Sequence, residues 1–102
     1  MGFAADMNEA VAADARLFAL RELQAQVDGR LNVLSLTRVL DLSGIRRSRE
    51  WVETQLNKLA ELGAVELVKA GELTVASITR LGRDHLDQRT VISGVTPPSE
   101  VS

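Results

Sequence analysis

At 102 residues the chain is long enough for one hydrophobic core and too short for a second. Its 45% hydrophobic and 25% charged residues are the composition of a globular domain, which excludes a disordered chain. Cysteine is absent, which excludes disulfides, thiolate catalysis and cysteine metal sites and fits a cytoplasmic protein. With a net charge of −2, the chain as a whole does not attract polyanions, so any affinity for them has to come from local clustering.

The opening stretch from Met1 to Val11 carries Asp6 and Glu9 and lacks the basic and apolar regions of a secretory signal. No apolar run reaches the roughly 18 residues that a membrane span requires. From Asn8 to Val27 the residues favour helix, with Leu17, Leu20, Leu23 or Gln24, and Val27 recurring near the helical period. Asp28-Gly29-Arg30 then breaks the pattern.

Asn32 is placed to cap a second helix with Leu36, Val39 and Leu40 facing inward, and Gly44 stands where such a helix ends. Ser48 is placed to cap a third, running to Leu62 and closed by Gly63, with Val52, Leu56, Leu59 and Leu62 on one face. Beyond Gly63 the period changes to two. Val65 and Leu67, then Leu73, Val75 and Ser77, flank the turn candidate Lys69-Ala70-Gly71-Glu72 and predict a β-hairpin.

Thr79 can cap a last helix through Gln88, with Leu81 or Gly82 and Leu86 turned inward. Gly94 to Ser102, with Pro97-Pro98, reads as a flexible tail. Helix, helix, turn, helix, hairpin and helix in succession predict a mainly α fold with a small β-hairpin, a winged helix-turn-helix, because a lone hairpin must lean on helices. The expected division is an N-terminal helical extension over 1–12, the winged domain over 13–90 and the tail over 91–102. Leu20, Leu36, Leu40, Val52, Leu56 and Leu59 should share one core, with Val65 and Val75 covering an edge.

Arg16-Leu17, Leu31-Asn32, Gly44, Ser48-Arg49, Val52, Leu56, Leu59, Gly63, Thr79 with Gly82, and Gly94-Val95 form a pattern that resembles the small winged-helix, ArsR-like proteins of Mu-like phages and prophages. The resemblance runs from about Asp14 to Ser99. It implies a winged-helix fold and a DNA-binding, transcription-regulating role. Where that family tends to carry a basic pair before its proline, this chain has Thr96-Pro97. With no cysteine and one histidine, the chain is not expected to sense metals as the ArsR label would suggest, and no metal or other cofactor is expected.

Arg46, Arg47, Ser48 and Arg49 form a basic cluster at the start of the third helix. Arginine forks match phosphate oxygens and guanine edges, and a helix N-terminus adds free amides for an anion. Between positions 30 and 49 five arginines face one aspartate, a local charge of +4 in a chain of net −2. This polarisation is the footprint of a small binder of double-stranded DNA. Helical projection places Glu50, Glu53, Thr54 and Asn57 opposite Val52, Leu56 and Leu59, so Thr54 and Asn57 are the base-contact candidates while two carboxylates share their face.

Such a face also fits a protein-interaction module, for example in phage assembly or packaging. Lys69 is the hairpin's cation for a minor-groove contact, although Glu66 and Glu72 beside it favour a purely structural hairpin. Trp51 reads as the edge of the core, and His85, between Asp84 and Asp87, as a surface helix residue. No phosphate-binding glycine loop, nucleophile elbow or metal-ligand spacing occurs, so no enzyme is expected. Phe3, Met7, Val11 and Phe18 exceed what a three-helix core requires and predict a homodimer through the first helix.

Overall fold

The computed structural model describes residues 3–101, with side-chain surroundings from Asp6 onward. The Phe3 side chain of the expected dimer surface lies outside the described residues. Four α-helices and a three-stranded antiparallel sheet make up the described fold, in the order α1 (Phe3–Ala25), β1 (Arg30–Asn32), α2 (Val33–Leu42), α3 (Arg49–Glu61), β2 (Val65–Ala70), β3 (Leu73–Ile78) and α4 (Arg80–Leu86). A short 3-10 turn over Pro98–Glu100 follows.

The helix α1 buries Ala15, Leu17, Leu20 and Leu23 and stops at Ala25, which leaves Val27, expected in the inward stripe, fully exposed. Gly29, at φ 71, reverses the chain there, and its carbonyl accepts from the Ile78 amide at 2.9 Å. Residues 30–32 thereby enter the sheet as its third strand. Sequence periodicity missed β1 because three residues are too few to display alternation.

Asn32 caps α2 through its side-chain oxygen, which accepts from the Ser35 amide at 2.9 Å, and Ser48 caps α3 in the same way on Trp51 at 3.0 Å. Both helices end in one device. After α2, the Gly44 amide donates to Asp41 and the Ile45 amide to Leu40; after α3, the Gly63 amide donates to Ala60 and the Ala64 amide to Leu59. The two glycines sit at φ 94 and 81, the left-handed geometry of the Schellman motif.

The sheet order is β1-β3-β2, with Val65 opposite Ile78, Leu67 opposite Ala76 and Lys69 opposite Thr74. The expected inward set of β3 is therefore shifted by one residue. Thr74 and Ala76 are buried, whereas Val75 pairs with the exposed Val68 on the other face. A tight turn at Gly71-Glu72 fixes this parity, and a one-residue offset exchanges the two faces of a strand. Leu20, Leu36, Leu40, Val52, Leu56, Leu59 and Val65 do share one core, and Ala76 takes the place expected for Val75.

The helix α4 is shorter than expected, ending at Leu86, with Gln88 at φ 62 beyond it. Gly82, rather than Leu81, is the residue turned inward. The segment expected to be a free tail is packed against the domain: Ile92 and Val95 are buried in the core, and the Thr96 amide and hydroxyl donate to the Ala13 carbonyl and Asp14 carboxylate of α1. Apolar residues at 92 and 95, not the prolines after them, decide where this segment lies.

The expectation of a surface histidine is also corrected, for His85 is 1% exposed. The Ile92 amide donates to its Nδ1 at 3.1 Å, which leaves Nε2 to carry the proton and donate to the Thr96 carbonyl oxygen at 3.0 Å. The ring fastens the C-terminal segment to α4. Among the described residues no helix is long and apolar enough to cross a membrane.

Candidate nucleic-acid interface

The helix α3 lies with Val52, Gln55, Leu56 and Leu59 buried, and its opposite side is open to solvent at Glu50, Thr54, Asn57 and Glu61. Its N-terminus follows the exposed stretch Arg46-Arg47-Ser48. The Ile45 side chain, half-buried against the core, anchors the link from α2 and so fixes where the arginines emerge.

The three arginines differ in their surroundings. Arg46, with a side chain 83% exposed, meets the Asp41 carboxylate at 3.4 Å. The Arg47 guanidinium lies over the Trp51 ring, 5.3 Å from its centroid. Such a pair is worth about 0.5–1 kcal/mol at an exposed site, enough to bias a long side chain toward the ring. Arg49 is exposed at the first position of the helix. Trp51 is half-buried and packed against the core, as its flanking position suggests.

Arg38 of α2 joins this group. Together with Leu34, Thr37, Asp41, Arg46, Arg47 and Ser48 it lines an open cleft of about 510 Å³ between α2 and the start of α3. Three guanidinium side chains against one carboxylate make the cleft wall cationic. An exposed anion here would be met by forked donors and by the amides at the start of α3.

The Thr54 hydroxyl donates to the Glu50 carbonyl at 3.1 Å, so its oxygen still has lone pairs to offer to solvent. Asn57 is exposed one turn further on. Arg46, Arg47, Ser48, Arg49, Thr54 and Asn57 are thus borne by α3 and the link before it.

Glu53 departs from the expected outward face. It turns aside toward the hairpin, where the buried Thr74 hydroxyl donates to its Oε1 at 2.5 Å, and the Lys69 ammonium donates to the same hydroxyl at 3.0 Å and lies 3.5 Å from Oε1. The Thr74 hydrogen bond holds the Glu53 carboxyl below the ordinary glutamate value, opposed by partial burial and aided by the charges of Lys69 and Arg49. Lys69 is accordingly engaged through its ammonium, while its side chain stays 66% exposed. Sequence reading missed this cluster because it assigned Thr74 to the outer face of β3.

Arg16, which belongs to the pattern that carries the family resemblance, is the most fully engaged cation of the described residues. It is 6% exposed and donates through Nε to Gln55 Oε1 at 3.0 Å, and through Nη1 to the Gly94 carbonyl at 2.7 Å and Glu9 at 3.1 Å. This ties α1, α3 and the C-terminal segment together on the side of α3 away from Glu50 and Asn57. Among the described residues no cluster of three or more histidine or acidic side chains is arranged to hold a metal ion. Comparison of the chain with known protein families, with curated proteins and with solved structures finds no match.

Proposed function

We propose that the protein is a winged helix-turn-helix module that binds double-stranded DNA, with α3 as the recognition helix and the β2–β3 hairpin as the wing. The observation that carries this reading is the exposed arginine group at and just before the start of α3, of which Arg46 and Arg47 share one cationic cleft with Arg38. It is supported by the order of elements, in which a helix, a glycine-containing turn and a second helix precede the hairpin. Arginines at such a point meet phosphates, which supply most of the sequence-independent affinity for DNA. Thr54 and Asn57 are the residues offered to base edges.

A role as a transcriptional regulator of a phage or prophage follows from the family resemblance, and action as a homodimer follows from the small footprint of a single module. Phe18 packs against the protein's own core, so Met7 and Val11 are the described apolar residues of α1 left for a dimer contact. Binding of random and genomic duplexes, titrated with salt, tests the reading. Affinity that falls steeply with salt supports it, and no binding at low salt overturns it.

A protein-interaction module is the second reading. Leu42 is 81% exposed and Leu34 46% exposed on α2, and the exposed side of α3 carries Glu50 and Glu61. Apolar residues beside charge of both signs suit a protein surface better than a polyanion.

A further inference from the structure

Lys69 sits near the tip of the hairpin, where a wing cation would reach toward a bound duplex, yet its ammonium is directed back to α3. The connection is directional. An ammonium can only donate, a carboxylate can only accept, and a hydroxyl has one proton, so Lys69 donates to Thr74 while Thr74 donates to Glu53. Thr74 is 5% exposed and occupies an inner-face position of β3, directly across the ladder from Lys69. Its hydroxyl would be a costly orphan there without these two partners.

We propose that Glu53 and Thr74 form a latch that holds Lys69 against α3, setting the position of the wing and withholding its cation from nucleic acid. The consequence for DNA rests on the reading given under Proposed function; the latch itself does not. Glu53 meets Lys69 of the hairpin at 3.5 Å, and the charge of Arg49, one turn earlier on its own helix, also favours the carboxylate. Because it is turned aside and paired with Lys69, it adds less repulsion to the stripe of Glu50, Thr54 and Asn57. It instead offsets the charge of Lys69, so that phosphate contact is concentrated at the start of α3.

The latch makes Glu53 and Thr74 positioning residues, distinguishable from ordinary surface residues by their effect on a third side chain. The test measures the acylation rate of the Lys69 amine by mass spectrometry in the wild type and in Glu53→Gln, Thr74→Val and Thr74→Ser, alongside the salt dependence of duplex binding. Thr74→Ser keeps the hydroxyl and should leave Lys69 at its wild-type reactivity. Glu53→Gln and Thr74→Val should each raise Lys69 reactivity, and Glu53→Gln should steepen the slope of log K against log salt by about 0.9 per subunit as Lys69 gains a phosphate.

Adding Lys69→Ala to Glu53→Gln should abolish that steepening. Unchanged Lys69 reactivity in Glu53→Gln, in a variant that retains its circular dichroism, overturns the latch. Raised reactivity with an unchanged slope in protein that binds duplex overturns the withholding of the cation. Raised reactivity with no duplex binding by any form supports the latch and overturns the DNA reading.

Discussion

Arg16 on α1 donates from Nη1 to the carbonyl oxygen of Gly94, 78 positions further along the chain, at 2.7 Å. The same guanidinium reaches Gln55 of α3 through Nε, so one buried side chain fixes the C-terminal segment relative to the helix that carries the candidate interface. Arg16→Ala would leave the Gln55 and Gly94 oxygens without this donor. An orphaned buried acceptor costs about 1–3 kcal/mol, and the part-buried Gly94 carbonyl less than the buried Gln55 oxygen, so a loss of roughly 1–4 kcal/mol is expected by urea denaturation. A loss under 1 kcal/mol would show that water replaces the guanidinium.

His85 provides a second fastening for the same segment. With its Nδ1 accepting from Ile92 and its Nε2 donating to Thr96, the ring is held as the Nε2-protonated neutral tautomer. Nitrogen chemical shifts of the imidazole should show a protonated Nε2 and a bare Nδ1 at neutral pH. His85→Ala should accelerate hydrogen exchange at the Ile92 and Thr96 amides, and equal rates in variant and wild type would contradict the assigned role.

Gly82 sets the approach of α4 to the strand side of the core. A Cβ built there would lie 2.5 Å from the Ala64 carbonyl oxygen and 2.9 Å from Ile78 Cγ1. The first neighbour is backbone and cannot swing away. Gly82→Ala should therefore destabilise by at least the 1–3 kcal/mol typical of overpacking, despite alanine's higher helix propensity of about 1 kcal/mol. A raised melting temperature would refute the close approach.

The residues that were legible in the sequence and those that were not divide by the range of the interactions that place them. Asn32, Ser48 and Thr79 each cap a helix through a bond to an amide three residues on, and Gly44 and Gly63 end helices through equally local bonds, so these were readable from spacing. The inward leucines of α2 and α3 follow from the same periodicity. By contrast, β1 exists only through its pairing with β3, and the inner face of β3 is set by a two-residue turn whose length decides parity.

His85 and the segment after it are likewise placed by non-local contacts. Between two aspartates a histidine has the local look of a surface residue, and two prolines suggest a tail, but Ile92 and Val95 find core positions and bring polar partners to the ring. The candidate interface was legible as an arginine cluster. Its internal engagements, Arg46 with Asp41, Arg47 with Trp51 and Lys69 with Thr74 and Glu53, involve side chains from different elements or turns that composition does not order.

Glu53 predicts a dependence on acid. Its carboxyl is held below the ordinary value of 4.5, first by the Thr74 hydroxyl, so the charged form is favoured in the folded protein. The stabilisation is present at neutral pH and is lost as pH falls through the depressed folded value, because the unfolded chain takes up its proton first. The stability gap between wild type and Glu53→Gln should therefore be largest near neutral pH and narrow as the pH falls below the ordinary glutamate value. Urea midpoints that separate by the same amount at neutral and at acid pH would show that the bond does not depend on ionisation.

The arginines at the start of α3 yield the prediction that bears most directly on function. Arg49 is exposed at the first helical position and has neither the aspartate partner of Arg46 nor the aromatic partner of Arg47. If three arginines each meet a phosphate, log K should fall against log salt with a slope of about −3 per subunit, and Arg49→Ala should reduce its magnitude by about one. Glu50→Gln removes a negative charge from the exposed stripe with little change of shape, so it should strengthen non-specific binding. Arg47→Ala carries a separate signature, since losing the guanidinium over the indole should alter Trp51 emission in the free protein as well as weaken binding. Opposite movements of affinity in Arg49→Ala and Glu50→Gln are the expected result. Equal behaviour of the two, or a salt slope near zero in the wild type, would direct attention to Leu34 and Leu42 and to a protein partner.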